Sequence, residues 1–471
     1  LNTRIVQFKA MINKKDLFSE FDTVSKKAWK QKIQVDLKGA DYNKTLVWES
    51  PEGINVKPFY NAEDLENLSG NLLQRNNKWQ AAELIAVNNT ADTNIRIEKA
   101  LQGGAECLVL KIDKPLLGIE EFMQGLNLGK IPMHIVLPIS HTSALEEVSY
   151  FNKAYGNKIH FYSDIVGSFA ASGKWFNSEE EDFAIFEKLQ KNPHFPFSIT
   201  INSNLYQNAG ANIVQQLAYS LAHANEYLHY LDTKDSLKSI KEVTFFVSEG
   251  GNYFFEIAKI RALRLLWSVL ADAYEIELNC KIIASPSKRN KTIYDYNTNL
   301  LRSTMETMSA ILGGADIVYN RPYDFLYNNS NDFAERIARN QLLILKEESY
   351  FDLVNNPADG SYYIESLTNE MAEKALVLLK QIEKGGGFIK GLKTHQIQKK
   401  IKESDKKEKE LVSSGKEVLV GSNKYPNPMD KMKMNLDKNP FPTRNPRQTR
   451  IEPIIPSRLT EVMEQNRLNH E

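Results

Sequence analysis

Eight short runs rich in Val, Ile, Leu and Phe recur along the chain with segments of helix length between them, and this alternation narrows the accessible folds more than any other feature. The runs cover 83–87, 106–112, 133–138, 160–163, 197–202, 243–248, 278–284 and 316–320. Their starts lie 23, 27, 27, 37, 46, 35 and 38 residues apart, too far for hairpins and suited to parallel strands joined through helices. Eight such units predict an α/β fold, a (β/α)8 TIM barrel. An open doubly wound sheet remains an alternative, because periodicity does not report closure. Between the runs, 208–230 and 252–274 carry apolar residues at helical spacing, as outer helices should. Segment 300–312 ends in Gly313-Gly314, the stop expected where a helix turns into the next strand.

Three regions follow. Residues 1–78 contain Trp29, Trp48 and the stretch 53–60 without a βα repeat, and read as an N-terminal arm that packs on something. Residues 79–387 form the barrel, closed off by Gly385-Gly386-Gly387. Residues 388–471 form an extended C-terminal tail, with 16 Lys/Arg against 7 Asp/Glu over 388–450. Prolines at 426, 428, 440, 442, 446, 453 and 456 keep much of it extended. A basic tail can be a surface linker wrapped on a partner or a nucleic-acid arm, and the near absence of aromatic residues that could stack on bases favours the linker.

Charge and cysteine content exclude several functions. Lys plus Arg and Asp plus Glu both number 59, so no chain-wide field attracts nucleic acid or anionic lipid. The two cysteines, Cys107 and Cys280, lie in predicted strands, too few for a disulfide framework or a cysteine metal site. The longest apolar helical segment is interrupted by Lys259, Arg261 and Arg264, so no membrane span is expected. The first ten residues lack a secretory pattern, and the expected location is the cytoplasm.

In a barrel of this type the site is built from residues just after each strand. These are Asn88 and Asn89, Asp113, His141, Asp164, Ser203 and Asn204, Glu249, Ser285 and Ser287, and Arg321. Asp164 or Glu249 can serve as a general base, and Arg321 can grip a phosphate or carboxylate through its planar fork. Each also has a plainer reading, a rim residue in a local hydrogen bond or ion pair, which spacing alone favours. No zinc-type spacing, no His-Glu-x-x-His, no Gly-x-Ser-x-Gly and no phosphate-binding Gly-x-x-x-x-Gly-Lys occurs. A metal site is not expected.

Three blocks, in order, carry a family resemblance. The first is Gln207-Asn208-Ala209-Gly210-Ala211 followed by Leu217-Ala218-Tyr219-Ser220-Leu221-Ala222 and Glu226-Tyr227. The second is Tyr294-Asp295 with Asn299-Leu300-Leu301-Arg302-Ser303-Thr304-Met305-Glu306, leading into Ile311-Leu312-Gly313-Gly314-Ala315-Asp316. The third is Arg336-Ile337-Ala338-Arg339-Asn340, then Lys346-Glu347-Glu348-Ser349 and 356–363, ending in Ile382-Glu383-Lys384-Gly385-Gly386. With Glu52-Gly53-Ile54 and Pro58-Phe59-Tyr60 upstream, residues 18–390 resemble the methylmalonyl-CoA mutases. That resemblance implies a barrel admitting an acyl-CoA thioester along its axis, capped by a separate flavodoxin-like domain that carries cobalamin.

Departures from the family pattern fall where substrate is served. Catalytic members carry Gly-Tyr-His-Met-Gln-Glu-Ala-Gly-Ala after the fifth strand, the His bonding the thioester carbonyl; here the frame reads 203–211 with Leu205 in place of His and Gln207 retained. Leucine has neither donor nor acceptor and cannot polarise a carbonyl. The family's Arg-Gln-Tyr-Ala-Gly finds its nearest counterpart in 78–83, without a tyrosine. Its Gln-Asn-Asp-Ile-Leu-Lys-Glu becomes 162–168, where only Asp164 and Ile165 survive. None of the eight histidines has Asp two residues before it, as the cobalt ligand's Asp-x-His-x-x-Gly requires, and no flavodoxin-like domain is expected.

The combination resembles the small, β-type subunit of heterodimeric methylmalonyl-CoA mutase. It implies a chain without catalytic residues, with degenerate site positions at Leu205, Gln207 and Asp164, and with no cofactor of its own. Adenosylcobalamin would sit in the catalytic large (α) subunit, its partner. Two other readings stay open: an acyl-CoA-binding barrel using Arg321 or the basic tail, and a competent acyl-CoA mutase chain using cobalamin from a separate polypeptide. An unrelated TIM-barrel lyase would need an acid–base pair at the rim.

Overall fold

The computed structural model describes residues 20–22, 24–66, 78–87, 89–112, 131–137, 158–191, 197–240, 242–329, 331–442 and 449–471. It divides into two compact units, 1–69 and 70–471.

In the first unit, Ser25 caps helix Lys26–Asp36, its Oγ accepting from the Ala28 N–H at 3.2 Å. Trp29 on this helix stacks on Phe59, ring centroids 4.2 Å apart. A two-stranded antiparallel pair, β1 (Trp48–Glu49) and β2 (Asn55–Val56), closes over the buried Ile54. Asp64 ties the ends together, ion-paired to Lys26 and, at 3.2 Å, to Lys57. No residue of helix Lys26–Asp36 is buried, and Phe21, Val24, Trp29, Val35 and Trp48 stay exposed.

The second unit is a closed barrel of eight parallel strands in the order β10-β3-β4-β5-β6-β7-β8-β9. The strands are β3 (Gln80–Val87), β4 (Cys107–Ile112), β5 (Met133–Val136), β6 (Ile159–Ser163), β7 (Phe197–Asn202), β8 (Glu242–Glu249), β9 (Asn279–Pro286) and β10 (Ile317–Asn320). Every apolar run identified in the sequence contributes one of them. Pairing of Ile317 with Gln80 through Asn320 with Glu83 joins the last strand to the first and eliminates the open sheet. The runs are near-continuously apolar because both faces are covered, by outer helices and by the barrel interior.

Helices Ile213–Asp232, Tyr253–Ala273 and Thr298–Gly313 lie where helical spacing placed them. Asn212 and Gln215 form a reciprocal capping box on the first. Gly314 ends the third in the left-handed region at φ +98°. Gly313 serves packing instead, since a Cβ there would meet the Ile257 carbonyl and Ile260 Cβ at 3.0 Å.

The tail is more ordered than its prolines suggest. Helices Phe388–Lys393 and Gln396–Ser413 open it, and helix Glu461–His470 ends it. Between these helices the described residues form no strand or helix, apart from one bridge between Val420 and Lys424. The lysine-rich stretch is helical because Ile397, Ile401 and Val412 fall on one buried side, while pairs such as Lys400–Glu403 at 2.7 Å and Lys406–Glu410 at 3.8 Å line the exposed one. The tail groups with the barrel, not apart from it.

Candidate functional site

The carboxyl ends of the strands define the mouth where barrel enzymes place their chemistry. Asn88, Asp113 and His141 lie outside the described residues. Asn89 caps helix Thr90–Gln102 through its side chain, at 2.8 Å from the Asp92 N–H. It serves the helix end.

Asp164, one of the two candidate bases, is committed to structure. As N-cap of helix Ile165–Ser172 it accepts from the Gly167 N–H at 2.8 Å, and from Asn202 N–H at 2.8 Å, His223 Nε2 at 2.9 Å and Tyr227 OH at 2.9 Å. His223 passes the chain on through Nδ1 to the buried Tyr206 hydroxyl at 2.8 Å. Burial by itself would raise the Asp164 pKa, but His223 and the two N–H groups hold it below the usual carboxylate range. Asp164→Ala should therefore cost about 3 kcal/mol, the order expected for a lost cap together with orphaned buried donors. The sign of the pH effect follows from a depressed folded pKa: the contribution is present above the unfolded value near 3.8 and is lost as pH falls through the folded one. Urea unfolding of wild type and variant should show a gap that is constant at neutral pH and narrows below about pH 4.

Glu249, the other candidate, is wholly buried. Its carboxylate lies 3.2 Å from the Lys259 Nζ, which also pairs with Glu256 and donates to the Ser248 carbonyl at 2.5 Å. Burial pushes the Glu249 carboxyl well up, and Lys259 only partly offsets this. Several of the remaining rim residues are held by neighbouring side chains. Ser203 pairs with Ser220 at 2.6 Å, Ser248 donates to Asn204 Oδ1 at 2.8 Å, and Ser287 donates to Gln207 Oε1 at 2.9 Å. Ser285 is buried, and Leu205 is buried in the frame where the resemblance calls for a histidine. Arg321 alone of this set points a charged group into a crevice without an acid partner among the described residues.

A Lys inside an apolar helix, as in Ile257-Ala258-Lys259-Ile260, was the one sequence signal for the Glu249–Lys259–Glu256 cluster. His223, Tyr206 and Tyr227 gave none, because their convergence on Asp164 depends on packing between β6, β7 and helix Ile213–Asp232.

Inside the barrel, Tyr162, Phe246 and Tyr319 pack with Cys107, Val109 and Ile283 into one buried cluster spanning the strands. Tyr162 meets Phe246 edge to face at 5.4 Å and accepts or donates a 2.8 Å bond with His134 Nδ1. His134 in turn stacks on His160, centroids 5.1 Å apart. Burial lowers the pKa of both imidazoles, that of His160 to about 4. Cys107, buried among them, has its thiol pushed up by burial and is an inert packing group.

Segment 78–83 is corrected by its position. It precedes and begins β3, at the opposite end of the barrel from the mouth, and Trp79 there is buried beneath Lys346. The missing tyrosine in that frame therefore says nothing about the mouth. As for the cobalt ligand, His223 spends both ring nitrogens on Tyr206 and Asp164, and His134 lies inside the barrel. Neither of these two imidazoles is placed to serve as cobalamin's lower ligand.

The tail crosses the mouth from β6 to β9. Arg450 N–H donates to the Gly173 carbonyl at 2.8 Å, Ser457 N–H to Asn208 at 2.9 Å, and Leu459 N–H to Arg289 at 2.9 Å. A closed barrel of eight parallel strands with helices between them defines the TIM-barrel class.

Comparison with known proteins specifies which one. The family model for methylmalonyl-CoA mutase matches residues 118–466, and the chain belongs to this family. It is 34% identical over 447 residues to the methylmalonyl-CoA mutase small subunit of Porphyromonas gingivalis, covering 88% of this chain and 72% of that one. The small subunit of Propionibacterium freudenreichii subsp. shermanii is 25% identical, over 87% of this chain and 70% of its own length. The large subunit of Porphyromonas gingivalis is 27% identical over 80% of this chain, which spans 61% of its length. Among the described residues, no helix is long and apolar enough to cross a membrane.

Proposed function

We propose that this chain is the small, non-catalytic subunit of a heterodimeric adenosylcobalamin-dependent methylmalonyl-CoA mutase, acting in the cytoplasm beside a large subunit that holds the cofactor and isomerises methylmalonyl-CoA and succinyl-CoA. The observation that carries this reading is the aromatic cluster on the inner face of the barrel. An axial thioester needs a passage, and Tyr162, Phe246 and Tyr319 stand in the cluster that spans the strands. Leu205 supports it, since no donor stands in that frame to polarise a carbonyl. So do the two rim carboxylates, Asp164 held by four donors and Glu249 paired with the buried Lys259. The exposed Trp and Val side chains of the 20–66 unit then serve as partner-facing surface, an arm that loses water on assembly.

The test is size-exclusion chromatography with light scattering on this chain, the cobalamin-loaded large subunit, and their mixture. The expected result is a 1:1 complex whose cobalamin absorbance tracks the large chain. Separate elution at tens of micromolar sinks the proposal. Leu205→His in the complex should leave turnover unchanged, because turnover belongs to the large subunit.

A further inference from the structure

We propose that Arg321 is the anchor of a binding site for the carboxylate or phosphate group of a small anionic ligand, in the crevice between the ends of β9 and β10. The crevice is lined by Pro286, Lys291, Asn299, Pro322, Tyr323 and Phe325, with Arg321 among them.

The polar groups of its floor are already spent. Lys291 is neutralised by Glu306, at 2.6 and 2.9 Å. Asn299 Oδ1 accepts from the Thr292 N–H at 3.1 Å, and its Nδ2 donates to the Thr292 and Tyr323 carbonyls at 2.8 and 3.0 Å. The Asn320 amide donates to Gln341 at 2.7 Å, while its oxygen accepts from the Arg321 N–H at 2.8 Å and so sets the backbone from which the arginine projects.

Arg321 is different. A guanidinium offers five N–H donors, and here its one side-chain bond is a long one, from Nη2 to the Tyr319 hydroxyl at 3.3 Å. Its Nε is buried without a partner. Four buried or half-buried arginines of the same unit hold a carboxylate, Arg96 with Glu335, Arg264 with Asp316, Arg289 with Asp405 and Glu408, Arg458 with Glu464, while Arg302 and Arg467 hold backbone carbonyls, of Val420 at 2.6 Å and Asn427 at 2.7 Å. Arg321 has none among the described residues, yet it is held in place by two rings, Tyr319 at 5.3 Å and Phe325 at 5.7 Å from the guanidinium carbon. A planar fork fixed in orientation with its donors unused is pre-organised for an oxyanion, whose two oxygens match the fork. Proline and aromatic side chains stand on either side of the fork, so the polar contact offered to an oxyanion is the guanidinium itself.

The site is independent of the subunit reading and is tested on the full chain alone. Melting temperature is followed against inorganic phosphate and against malonate, with sodium chloride at matched ionic strength. The expected result is a saturable rise with at least one probe that chloride does not reproduce. Phosphate alone assigns a phosphoryl ligand, and malonate alone assigns a carboxylate. Arg321→Gln should weaken that binding at least tenfold. Arg321→Lys keeps the charge and loses the fork, and should weaken it several-fold if Arg321→Gln does not fold. Equal shifts in wild type and Arg321→Lys, a chloride effect of the same size, or no saturable binding by either probe overturns the proposal.

Discussion

Lys259→Met should destabilise the protein by about 3–5 kcal/mol, the range for removing one partner of a buried ion pair. Lys259 is 2% exposed, and its ammonium stands between Glu249, 0% exposed in its side chain, and Glu256 at 5%. Without it, two carboxyls face each other with little solvent. The cost should depend on pH in a defined direction. Burial already holds the folded Glu249 carboxyl well above its ordinary value, and removing the lysine takes away the charge that opposes this. A carboxyl with a raised folded pKa is stable below its unfolded value and loses that stability as pH rises. The difference between wild type and Lys259→Met should therefore be small near pH 4.5 and widen toward pH 8 in chemical denaturation. Adding Glu249→Gln to the variant should recover part of the loss, because a neutral amide needs no counter-charge. A flat pH profile would show that the cluster is not read correctly.

Arg289→Ala should release the tail from the mouth, with a loss of similar size, about 3–5 kcal/mol for a buried charge network broken on one side. Arg289 is 3% exposed and holds three parts of the tail at once: Asp405 at 2.8 Å, Glu408 at 2.7 Å and the Ser457 carbonyl at 3.0 Å. Gly210 makes the same approach possible from below, since a Cβ there would stand 2.6 Å from Asp405 Cβ, and its φ of +102° suits glycine. The tail carries many lysines, so its release is measured directly by limited trypsin digestion. Cleavage should move into 396–416 in Arg289→Ala while the barrel fragment persists. Wild-type resistance in the variant would mean that Arg458, bonded to the Lys291 carbonyl at 3.1 Å and to Glu464 at 2.5 Å, suffices to hold the strap.

How far the sequence could be read depends on the range of the interaction involved. The eight strands, the outer helices and the glycine stop at 313–314 rest on local pattern, with apolar runs covered on two faces and helical spacing on one. They agree with the structure to within a few residues at each end. The helix Gln396–Ser413 was hidden because its apolar positions are few and its charges many, and it is helical only where it docks against the barrel. The rim residues were found by position, but position does not report their partners. Asp164 reads as a base and stands as a cap because His223 and Tyr227 arrive from a helix about sixty residues on.

The chain's own residues thus decide the barrel class, the family and the absence of a donor at Leu205, since strand pattern, motif order and side-chain chemistry are properties of neighbours in sequence. Closure through Ile317 and Gln80, the aromatic cluster of the interior, the burial of the Glu249 cluster and the isolation of Arg321 among rings are decided only when distant segments meet. The reason is physical: burial and pairing fix which charges are spent and which remain available, and both are sums over contacts that no local stretch contains.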